Sequence, residues 1–559
     1  MLTTTKPNPS SSRTAADTRN ARRQFLGHLS GAAATLSLVA TNRVAAQSNE
    51  GAVPEAAARN TTHRRAQAAL QIRLEAARNQ HRQPVPVQRN NADESEYSQK
   101  IGCFTKTLPH NGVGEVQMYA WDLLKNALRS GQANEFEAIP LGGTVKLANP
   151  QAAYTFDLEG ADSHALRIEP APKFSSSETA SEMVELYWQA LTRDVPFTEY
   201  DSNPLIHQAA ADLSRFVAFK GPRANGIVTP DTLFRSTLPG DVSGPYISQF
   251  LWQDVPSGAA IIKQQYRVPV AGNDFMTDYG EWLHIQNGGA PTRAITYDTA
   301  TRYLRNGRDL GEYVHRDFTY QAFLNAALVL LSYGRPALPA QNPYVTSRTQ
   351  SSFATFGGPH VLDVVARVAN AALRAAWYQK WLVHMRVRPE AYAGAVHNHT
   401  TGAASYSFHR RLLNSPVLEQ VARTFGSYLL PQAYAEGCPT HPAYPSGHAT
   451  IAGACVTVLK TFFNVDFVLP RPVVASADGL SLLPYQSTSL TVGGELHKLA
   501  ANVGIGRNTA GVHWRSDAAA GFQLGEAVAL SCLQDFRRTF SEDFGGFKLT
   551  TFAGDVLTL

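Results

Sequence analysis

The sequence contains no apolar run of about eighteen residues, only four cysteines and no basic run. A helix that crosses a bilayer needs about 20 apolar residues, so no transmembrane span is predicted. The cysteines have no CxxC spacing, which argues against a zinc site built from thiolates. Cys455 and Cys532 lie in apolar helical stretches and are predicted to be buried, while the sequence assigns no disulfide pairing to any of the four. The other two are Cys103 and Cys438.

The net positive charge of the chain comes from its first 46 residues. Residues 1–46 hold six basic side chains and one aspartate, a net charge of +5 that equals the +5 of the whole chain. Residues 47–559 are therefore neutral and give no support for nucleic-acid binding. The paired Arg22 and Arg23 precede an apolar stretch at 29–40 and small residues at 44–46. This order predicts an export leader of the twin-arginine type and a periplasmic or extracellular location.

The rest of the chain is predicted to be mainly α-helical with few short strands. Apolar residues recur at helical spacing in several windows, which are residues 57–78, 179–192, 203–219, 318–331, 360–386, 450–463, 494–505 and 512–536. The best strand signal is at 260–270, as a hairpin candidate. We predict a helical N-terminal half with long loops at 47–350 and a helical catalytic half at 351–559.

The segment KWLVHMRVRP supplies two candidate anion-binding cations, Lys380 and Arg388. They are eight residues apart, so on one helix they would be offset by roughly 80° and would lean toward the same side. Pro389 disfavours helical backbone at Arg388, which predicts that this arginine lies at a helix end and turns inward. Taken alone, the pair is a weak signal, and the alternative is two solvated cations at a helix end.

The segment PAYPSGHATIAGAC predicts a helix whose start faces an anion. Ser446 can cap the helix and leave unpaired amides at its first turn. Such a terminus attracts anions through its amides and its dipole. Gly447 allows close approach to the backbone, and His448 in the first turn can exchange protons. The alternative for this segment alone is an ordinary capped helix with one histidine.

The segment GIGRNTAGVHWRSD supplies a third cation and a second histidine. Arg507 and His513 are about 240° apart on an unbroken helix, so a break at 509–511 is predicted to fold them together. His513 and Asp517 are one turn apart on the same face. The carboxylate can accept the proton of one ring nitrogen and leave the other bare as a ligand or nucleophile. A structural His–Asp pair is the alternative.

Together the three segments, in this order, resemble the superfamily shared by type-2 phosphatidic-acid phosphatases, bacterial class A acid phosphatases and vanadium-dependent haloperoxidases. KWLVHMRVRPEA, EGCPTHPAYPSGHATIAGAC and GRNTAGVHWRSD are similar to the versions in algal-type vanadium bromoperoxidases. So are IGCFTKTLPHNGVGEV, FRSTLPGDVSGPYISQFLW and FATFGGPH further upstream. The resemblance covers the chain from about residue 57 to its end and implies the helical-bundle fold shared by these haloperoxidases and acid phosphatases.

The resemblance also implies a role for each matching residue. His513 would bond vanadium directly with Asp517 behind it, and His448 would be the acid–base group. Trp377 and His441 would line the halide side. The groups that would neutralise the vanadate oxygens are all hydrogen-bond donors: Lys380, Arg388, Arg507, Ser446 and the amide of Gly447. Lys380 would in addition polarise bound peroxide and so act as a catalytic residue.

The implied enzyme is a vanadate-dependent haloperoxidase. It would oxidise bromide and iodide with hydrogen peroxide to hypohalous acid or an equivalent, and so halogenate small organic acceptors. A homo-oligomer, dimer or dodecamer, is expected from the resemblance. Two alternatives remain at this point. One is an acid phosphatase in which His513 forms a phosphohistidine, against which the long upstream half argues. The other is a non-catalytic scaffold that retains the pocket residues.

Overall fold

The computed structural model describes residues 55–559, with side chains from residue 61. The predicted leader, residues 1–46, lies outside the described residues. The chain divides into two compact units, Met1–Gln71 and Ile72–Leu559, so the division falls within the first described helix. No boundary near residue 350 is tested by this division, and the predicted halves stay a prediction. Within the described residues, no helix is both long enough and apolar enough to cross a membrane.

The described chain is built mainly of α-helices. They are α1 (Glu55–Arg82), α2 (Asp93–Glu96), α3 (Met118–Ser130), α4 (Ala133–Glu137), α5 (Ser177–Thr192), α6 (Pro204–Ser214), α7 (Tyr279–Gln286), α8 (Gly307–Arg316), α9 (Gln321–Ser332), α10 (Gly358–Tyr378), α11 (Pro389–Thr401), α12 (Arg410–Leu413), α13 (Pro416–Phe425), α14 (Gly447–Phe462), α15 (Val492–Thr509) and α16 (Arg515–Arg537). Short 3₁₀ turns lie at Pro150–Tyr154, Ser163–Ala165, Phe197–Glu199, Gln249–Leu251 and Arg335–Ala337.

The strands form only two-stranded antiparallel sheets among the described residues. They are β1 (Val255–Ser257), β2 (Ala260–Ile262), β3 (Tyr266–Pro269), β4 (Tyr297–Arg302), β5 (Val473–Ala475), β6 (Leu482–Pro484), β7 (Lys548–Thr550) and β8 (Val556–Thr558). β1 pairs with β2, β3 with β4, β5 with β6 and β7 with β8. The mainly helical fold class predicted from the sequence is thus confirmed.

Side-chain caps explain where the predicted helices begin. Ser176 accepts a hydrogen bond from the Thr179 amide before α5, and Thr491 accepts one from Gly494 before α15. The predicted helices are all present, but two have different lengths. The window 203–219 forms a helix only to Ser214, and the window 360–386 changes from α-helix to π-helix after Tyr378. The strand window 260–270 contains two strands, of which the second pairs with the distant β4.

The centre of the larger unit is a bundle in which α14 packs against α10, α15 and α16. α14 and α16 approach so closely that a methyl group on Gly521 would lie 2.9 Å from the Ser446 carbonyl oxygen. A methyl group on Gly525 would meet the Thr450 carbonyl, and one on Gly453 would meet the backbone of Phe522. Since only glycine fits at such contacts, these three residues fix the position of the α14 N-terminus relative to α16.

Almost all of the described sulfur-containing side chains are buried. All four cysteines are at most 3% exposed and unpaired, so the burial predicted for Cys455 and Cys532 is confirmed. Of the described methionines, those at 183, 276 and 385 are at most 2% exposed. Met118 is 41% exposed and is the exception among the described residues.

Candidate oxyanion-binding site

Lys380 is placed by an irregular segment rather than by a regular helix. After α10 the chain forms a π-helical turn, Gln379–His384, which ends at Met385 in the left-handed region with φ 48°. The Lys380 side chain is completely buried, and its Nζ donates to the carbonyl oxygens of Pro442 and Ala443 at 2.8 Å each. The lysine is thereby held against the loop that leads into α14.

Arg388 lies at the start of the following helix, not on the helix of Lys380. The prediction of one shared helix end was wrong because Met385 reverses the backbone between them. Arg388 has extended backbone, φ −82° and ψ 151°, directly before Pro389 of α11, as the effect of proline on its predecessor predicts. Its Nη1 donates to the Val512 carbonyl at 2.6 Å and lies 3.1 Å from Nε2 of His513. The inward turn of this arginine is therefore confirmed.

The predicted break between Arg507 and His513 is present. α15 ends at Thr509, and Gly511 has φ 86°, a left-handed conformation that favours glycine. The Val512 amide turns back to donate to the Arg507 carbonyl at 3.1 Å. Arg507 is 5% exposed, and its Nη1 donates to the carbonyl oxygen of Val314 at 2.8 Å. Its buried Nε has no hydrogen-bond partner.

The geometry of His513 leaves one ring nitrogen available. Nδ1 lies 2.7 Å from Oδ2 of Asp517, which identifies Nδ1 as the protonated nitrogen that donates to the carboxylate. Nε2 then carries a lone pair, and it is this atom that faces the Arg388 guanidinium. The ring is 2% exposed, so its orientation is held on both sides.

Asp517 is itself fixed by an arginine that the sequence analysis did not single out. Arg386 Nη1 donates to Asp517 Oδ1 at 2.8 Å, and its Nη2 donates to Glu182 at 3.1 Å. The Trp514 amide donates to Asp517 Oδ2 at 3.0 Å. Arg386 stands two residues before Arg388 in the quoted motif, but nothing in that spacing distinguishes the arginine that pairs with carboxylates from the one that does not.

The N-terminus of α14 has the predicted form. Ser446 caps the helix by accepting a hydrogen bond from the Ala449 amide at 3.3 Å, and its own amide donates to the Asp517 carbonyl at 2.9 Å. This second bond ties the helix start to the first turn of α16, which carries Asp517. Gly447 is buried, and His448 in the first turn is partly exposed.

His448 has a carboxylate partner from a distant part of the chain. Its Nε2 lies 3.0 Å from Oδ1 of Asp317, which follows α8. The Asp317 side chain is 2% exposed. The two residues are 131 positions apart in the sequence, and no motif around Asp317 predicts this contact. The carboxylate holds Nε2 as the donor and leaves Nδ1 of His448 available.

Trp377 and His441 lie together at a partly exposed edge of the site. Their ring centroids are 4.7 Å apart, and Nη2 of Arg388 lies 3.0 Å from Nδ1 of His441. Trp377 donates its indole N–H to the Asn149 carbonyl at 3.1 Å. A methyl group on Gly447 would stand 3.6 Å from the Trp377 ring. The two side chains therefore border the helix start.

Tyr434 adds a neutral wall beside Arg507. Its hydroxyl donates to the Gly311 carbonyl at 2.6 Å and accepts from Arg507 Nη1 at 3.2 Å. The ring lies 5.3 Å from the Arg507 guanidinium and stacks on His315 at 3.8 Å. Sequence patterns gave no signal for this tyrosine because its partners come from α8 and α15.

The site has an excess of positive charge that its own side chains do not compensate. Within the described residues, Lys380, Arg388 and Arg507 have no carboxylate in ion-pair contact, and their partners are carbonyl, hydroxyl and imidazole groups. Burial, together with the Arg388 charge, holds the pKa of Lys380 well below its usual range. Burial also lowers the pKa of Arg388 to about 10. Burial and the three cations depress the pKa of His513.

A small oxyanion fits this donor set. Uncompensated buried cations are costly unless a counter-charge is present. The unpartnered Arg507 Nε and the capped helix start offer further donors, while the bare Nε2 of His513 offers one electron pair. The arrangement can thus hold a multiply charged oxyanion by its oxygens and bond its central atom through one imidazole nitrogen.

Comparison with known proteins gives similarity over most of the chain. Residues 361–542 match the family described as the VCPO second helical-bundle domain. The vanadium-dependent bromoperoxidase of Ascophyllum nodosum is 36% identical over 482 residues, which cover 82% of this chain and 86% of the relative. That of Corallina officinalis is 35% identical over 547 residues, covering 82% of this chain and 91% of the relative.

A solved structure extends the likeness to the fold. The second vanadate-dependent bromoperoxidase of Ascophyllum nodosum, a homohexamer, superposes with a TM-score of 0.86 at 29% identity. The match covers 92% of this chain and 94% of that chain. The upstream half is therefore matched together with the three motif segments.

Proposed function

The chain belongs to the vanadium-dependent bromoperoxidases, and we propose that the buried cation cluster around His513 binds its vanadate. The protein is an enzyme that oxidises bromide, and the more easily oxidised iodide, with hydrogen peroxide. Its cofactor is vanadate. The observation that carries the assignment of the site is the set of three buried cations without carboxylate partners beside one bare imidazole nitrogen.

Each residue of the site has a role that follows from its contacts. Nε2 of His513 would be the direct ligand of vanadium, and Asp517 keeps that nitrogen unprotonated by accepting a hydrogen bond from Nδ1–H. The vanadate oxygens would be held by groups that donate hydrogen bonds without competing carboxylates among the described residues: Lys380, Arg388, Arg507, Ser446 and the Gly447 amide. These groups are fixed in place before the anion arrives, so little reorganisation is needed on binding.

When bound, vanadate supplies Lewis-acid activation of peroxide toward two-electron oxidation of halide, with no change in the metal's oxidation state. His448 exchanges protons at Nδ1, because Nε2 is held by Asp317. Lys380, which forms no ion pair with a carboxylate among the described residues, would supply positive charge to the bound oxyanion and so favour the oxidation of halide. In balance, peroxide, bromide and one proton give hypobromous acid and water.

The halide approaches on the side of Trp377 and His441. These two rings are partly exposed, whereas Lys380 is completely buried. His441 is kept in place by Arg388, and burial beside that arginine depresses the pKa of the imidazole. A neutral ring at the edge lets a soft, weakly hydrated anion such as bromide pass toward the cations.

Reconstitution with orthovanadate tests this function. The loaded protein is expected to brominate a phenol dye only when both hydrogen peroxide and bromide are present. The His513→Ala variant is expected to lose both vanadate binding and turnover, whereas a scaffold would be unaffected. If the protein instead cleaves nitrophenyl phosphate and does not halogenate, it is a phosphatase that uses a phosphohistidine, and the proposal fails.

We further propose that the protein is exported and forms a homo-oligomer. The paired arginines and apolar stretch of residues 1–46 support twin-arginine export to the periplasm or the extracellular space. The homohexameric relative supports self-association, while a dimer or a dodecamer stays a prediction. Replacement of Arg22 and Arg23 by lysine should keep the protein inside the cell, and light scattering of the purified protein gives its oligomeric state.

A further inference from the structure

A cavity of about 490 Å³ lies next to the acid–base pair of the proposed active site. Its lining includes Tyr266, Arg267, Tyr297, Tyr313 and Asp317. Asp317 is the residue whose carboxylate holds His448, so one wall of the cavity belongs to that pair. The volume is in the range of small-molecule pockets and accommodates a substituted aromatic ring.

The carboxylates of the lining are already engaged. Asp317 binds His448 at 3.0 Å. Glu312 accepts from the Tyr297 hydroxyl at 2.6 Å and from Arg316 Nε at 3.2 Å. These two acids therefore have little capacity to attract a cation into the cavity.

Two residues of the lining differ from these engaged acids. The guanidinium of Arg267, an exposed residue, stacks at 3.5 Å on the Tyr297 ring and forms no ion pair with a carboxylate among the described residues. Tyr313 is 4% exposed, and its buried hydroxyl has no hydrogen-bond partner. This hydroxyl oxygen is closed off from the cavity, so Tyr313 contributes its ring rather than its hydroxyl to the wall. Tyr266 packs edge-on against Tyr313 at 4.9 Å, which adds an aromatic wall.

We propose that this cavity binds the organic acceptor as an aromatic anion, namely a phenol that carries a carboxylate or sulfonate. The ring packs against the tyrosines, and the anionic group pairs with Arg267. This inference rests on the proposed function, because it names the acceptor of that reaction. The acceptor ring loses a C–H bond and gains a C–Br bond, and the released proton joins the hydroxide of hypobromous acid to form water.

Binding is tested first, without turnover. 4-Hydroxybenzoate and its uncharged methyl ester are titrated by calorimetry into vanadate-free protein and into the variants Arg267→Met and Tyr313→Phe. Arg423→Met is the matched control, since Arg423 is exposed, donates a hydrogen bond to the neighbouring Gln420 and does not line the cavity. Calorimetry needs no activity, so its result stands whether or not the enzyme halogenates.

4-Hydroxybenzoate is expected to bind the unmodified protein and Arg423→Met equally, and Arg267→Met about fivefold more weakly, as for an exposed ion pair. Tyr313→Phe keeps the aromatic wall and should bind 4-hydroxybenzoate with unchanged affinity. The ester should bind weakly to all four proteins. Equal affinity of Arg267→Met and Arg423→Met for the acid, or no saturable binding at all, would overturn the inference.

Product ratios then test the cavity during turnover. The loaded enzyme and added hypobromous acid are each given an equimolar mixture of 4-hydroxybenzoate and the ester. The enzyme should enrich the brominated acid about fivefold over the reagent, and Arg267→Met should remove this enrichment. Absence of any bromide-dependent peroxide consumption would instead refute the proposed function. Bromide oxidation with the reagent's product ratio would refute only the acceptor site.

Discussion

Arg386 and Arg388 are separated by one residue and are both at most 2% exposed, but their surroundings are opposite. Arg386 contacts Asp517 at 2.8 Å and Glu182 at 3.1 Å, and these carboxylates raise its pKa against the lowering effect of burial. Arg388 contacts carbonyls and imidazoles, and burial lowers its pKa to about 10. Replacing each by glutamine should therefore have different consequences.

Arg386→Gln leaves two buried carboxylates without their cation, which costs about 3–5 kcal/mol of folding free energy. Arg388→Gln loses hydrogen bonds to the carbonyls of Val512 and His441 but also removes an uncompensated buried charge. Its net cost is about 1–2 kcal/mol in the vanadate-free protein. The difference between the two variants is the quantity to measure.

The two variants should also differ in how much bound vanadate stabilises them. Vanadate at 100 times its dissociation constant stabilises the unmodified protein by about 2.7 kcal/mol. Loss of one charge-assisted hydrogen bond of about 1.5–3 kcal/mol weakens binding by about 10- to 100-fold. At the same concentration, a 100-fold loss leaves Arg388→Gln with a stabilisation of only about 0.4 kcal/mol.

Urea unfolding followed by tryptophan fluorescence, with and without orthovanadate, measures both effects. Glu182→Gln added to Arg386→Gln should recover part of the lost stability, because it removes one of the two unpaired carboxylates. The reasoning is refuted if Arg388→Gln destabilises the vanadate-free protein more than Arg386→Gln does. It is equally refuted if Arg388→Gln retains the full vanadate-induced stabilisation.

Other changes have equally definite outcomes. Asp317→Asn should lower the bromide oxidation rate at least tenfold, because His448 loses its orienting carboxylate, while the vanadate dissociation constant from equilibrium dialysis changes little; a rate unchanged within twofold contradicts this. His441→Phe should shift the bromide-to-chloride rate ratio and keep vanadate uptake, and loss of uptake would remove His441 from the halide side. Burial lowers the pKa of His497 to about 4. As the pH falls through 6.5, this histidine therefore binds a proton in the unfolded chain but stays neutral in the folded protein. The contribution of His497 to stability is therefore complete well above pH 6.5 and falls by about 2 kcal/mol by pH 5. Burial also lowers the pKa values of His110 and His384, which add to the decline of the whole protein, and His497→Gln should remove the share of His497 in urea titrations.

Local chemistry made much of this site predictable. The serine cap before α14, the break at Gly511 and the one-turn spacing of His513 and Asp517 depend on residues within a few positions of each other. Helical periodicity and capping encode such features directly in the sequence. The three segments therefore specify the residues of the cation cluster in the sequence itself.

Features that depend on distant contacts were not predictable in the same way. Asp317 contacts His448 although the two are 131 residues apart in the sequence. Arg386 forms ion pairs with carboxylates on α5 and α16, whereas Arg388 forms none among the described residues. The π-helical turn at Lys380 also has no local signature, because it is stabilised by the loop carbonyls that the lysine contacts. The strand window at 260–270 forms two strands rather than one hairpin, because β3 pairs with the distant β4.

The burial of sulfur affects how long such a catalyst survives its own product. Thiols and thioethers are the protein groups that hypohalous acids consume fastest, and Met118 is the one described sulfur side chain with substantial exposure. Damage by escaping oxidant should therefore fall first on this methionine, converting it to a sulfoxide at the exposed start of α3. The interior thiols would be spared until the fold itself opens, so the working lifetime of the enzyme is tied to its unfolding rate.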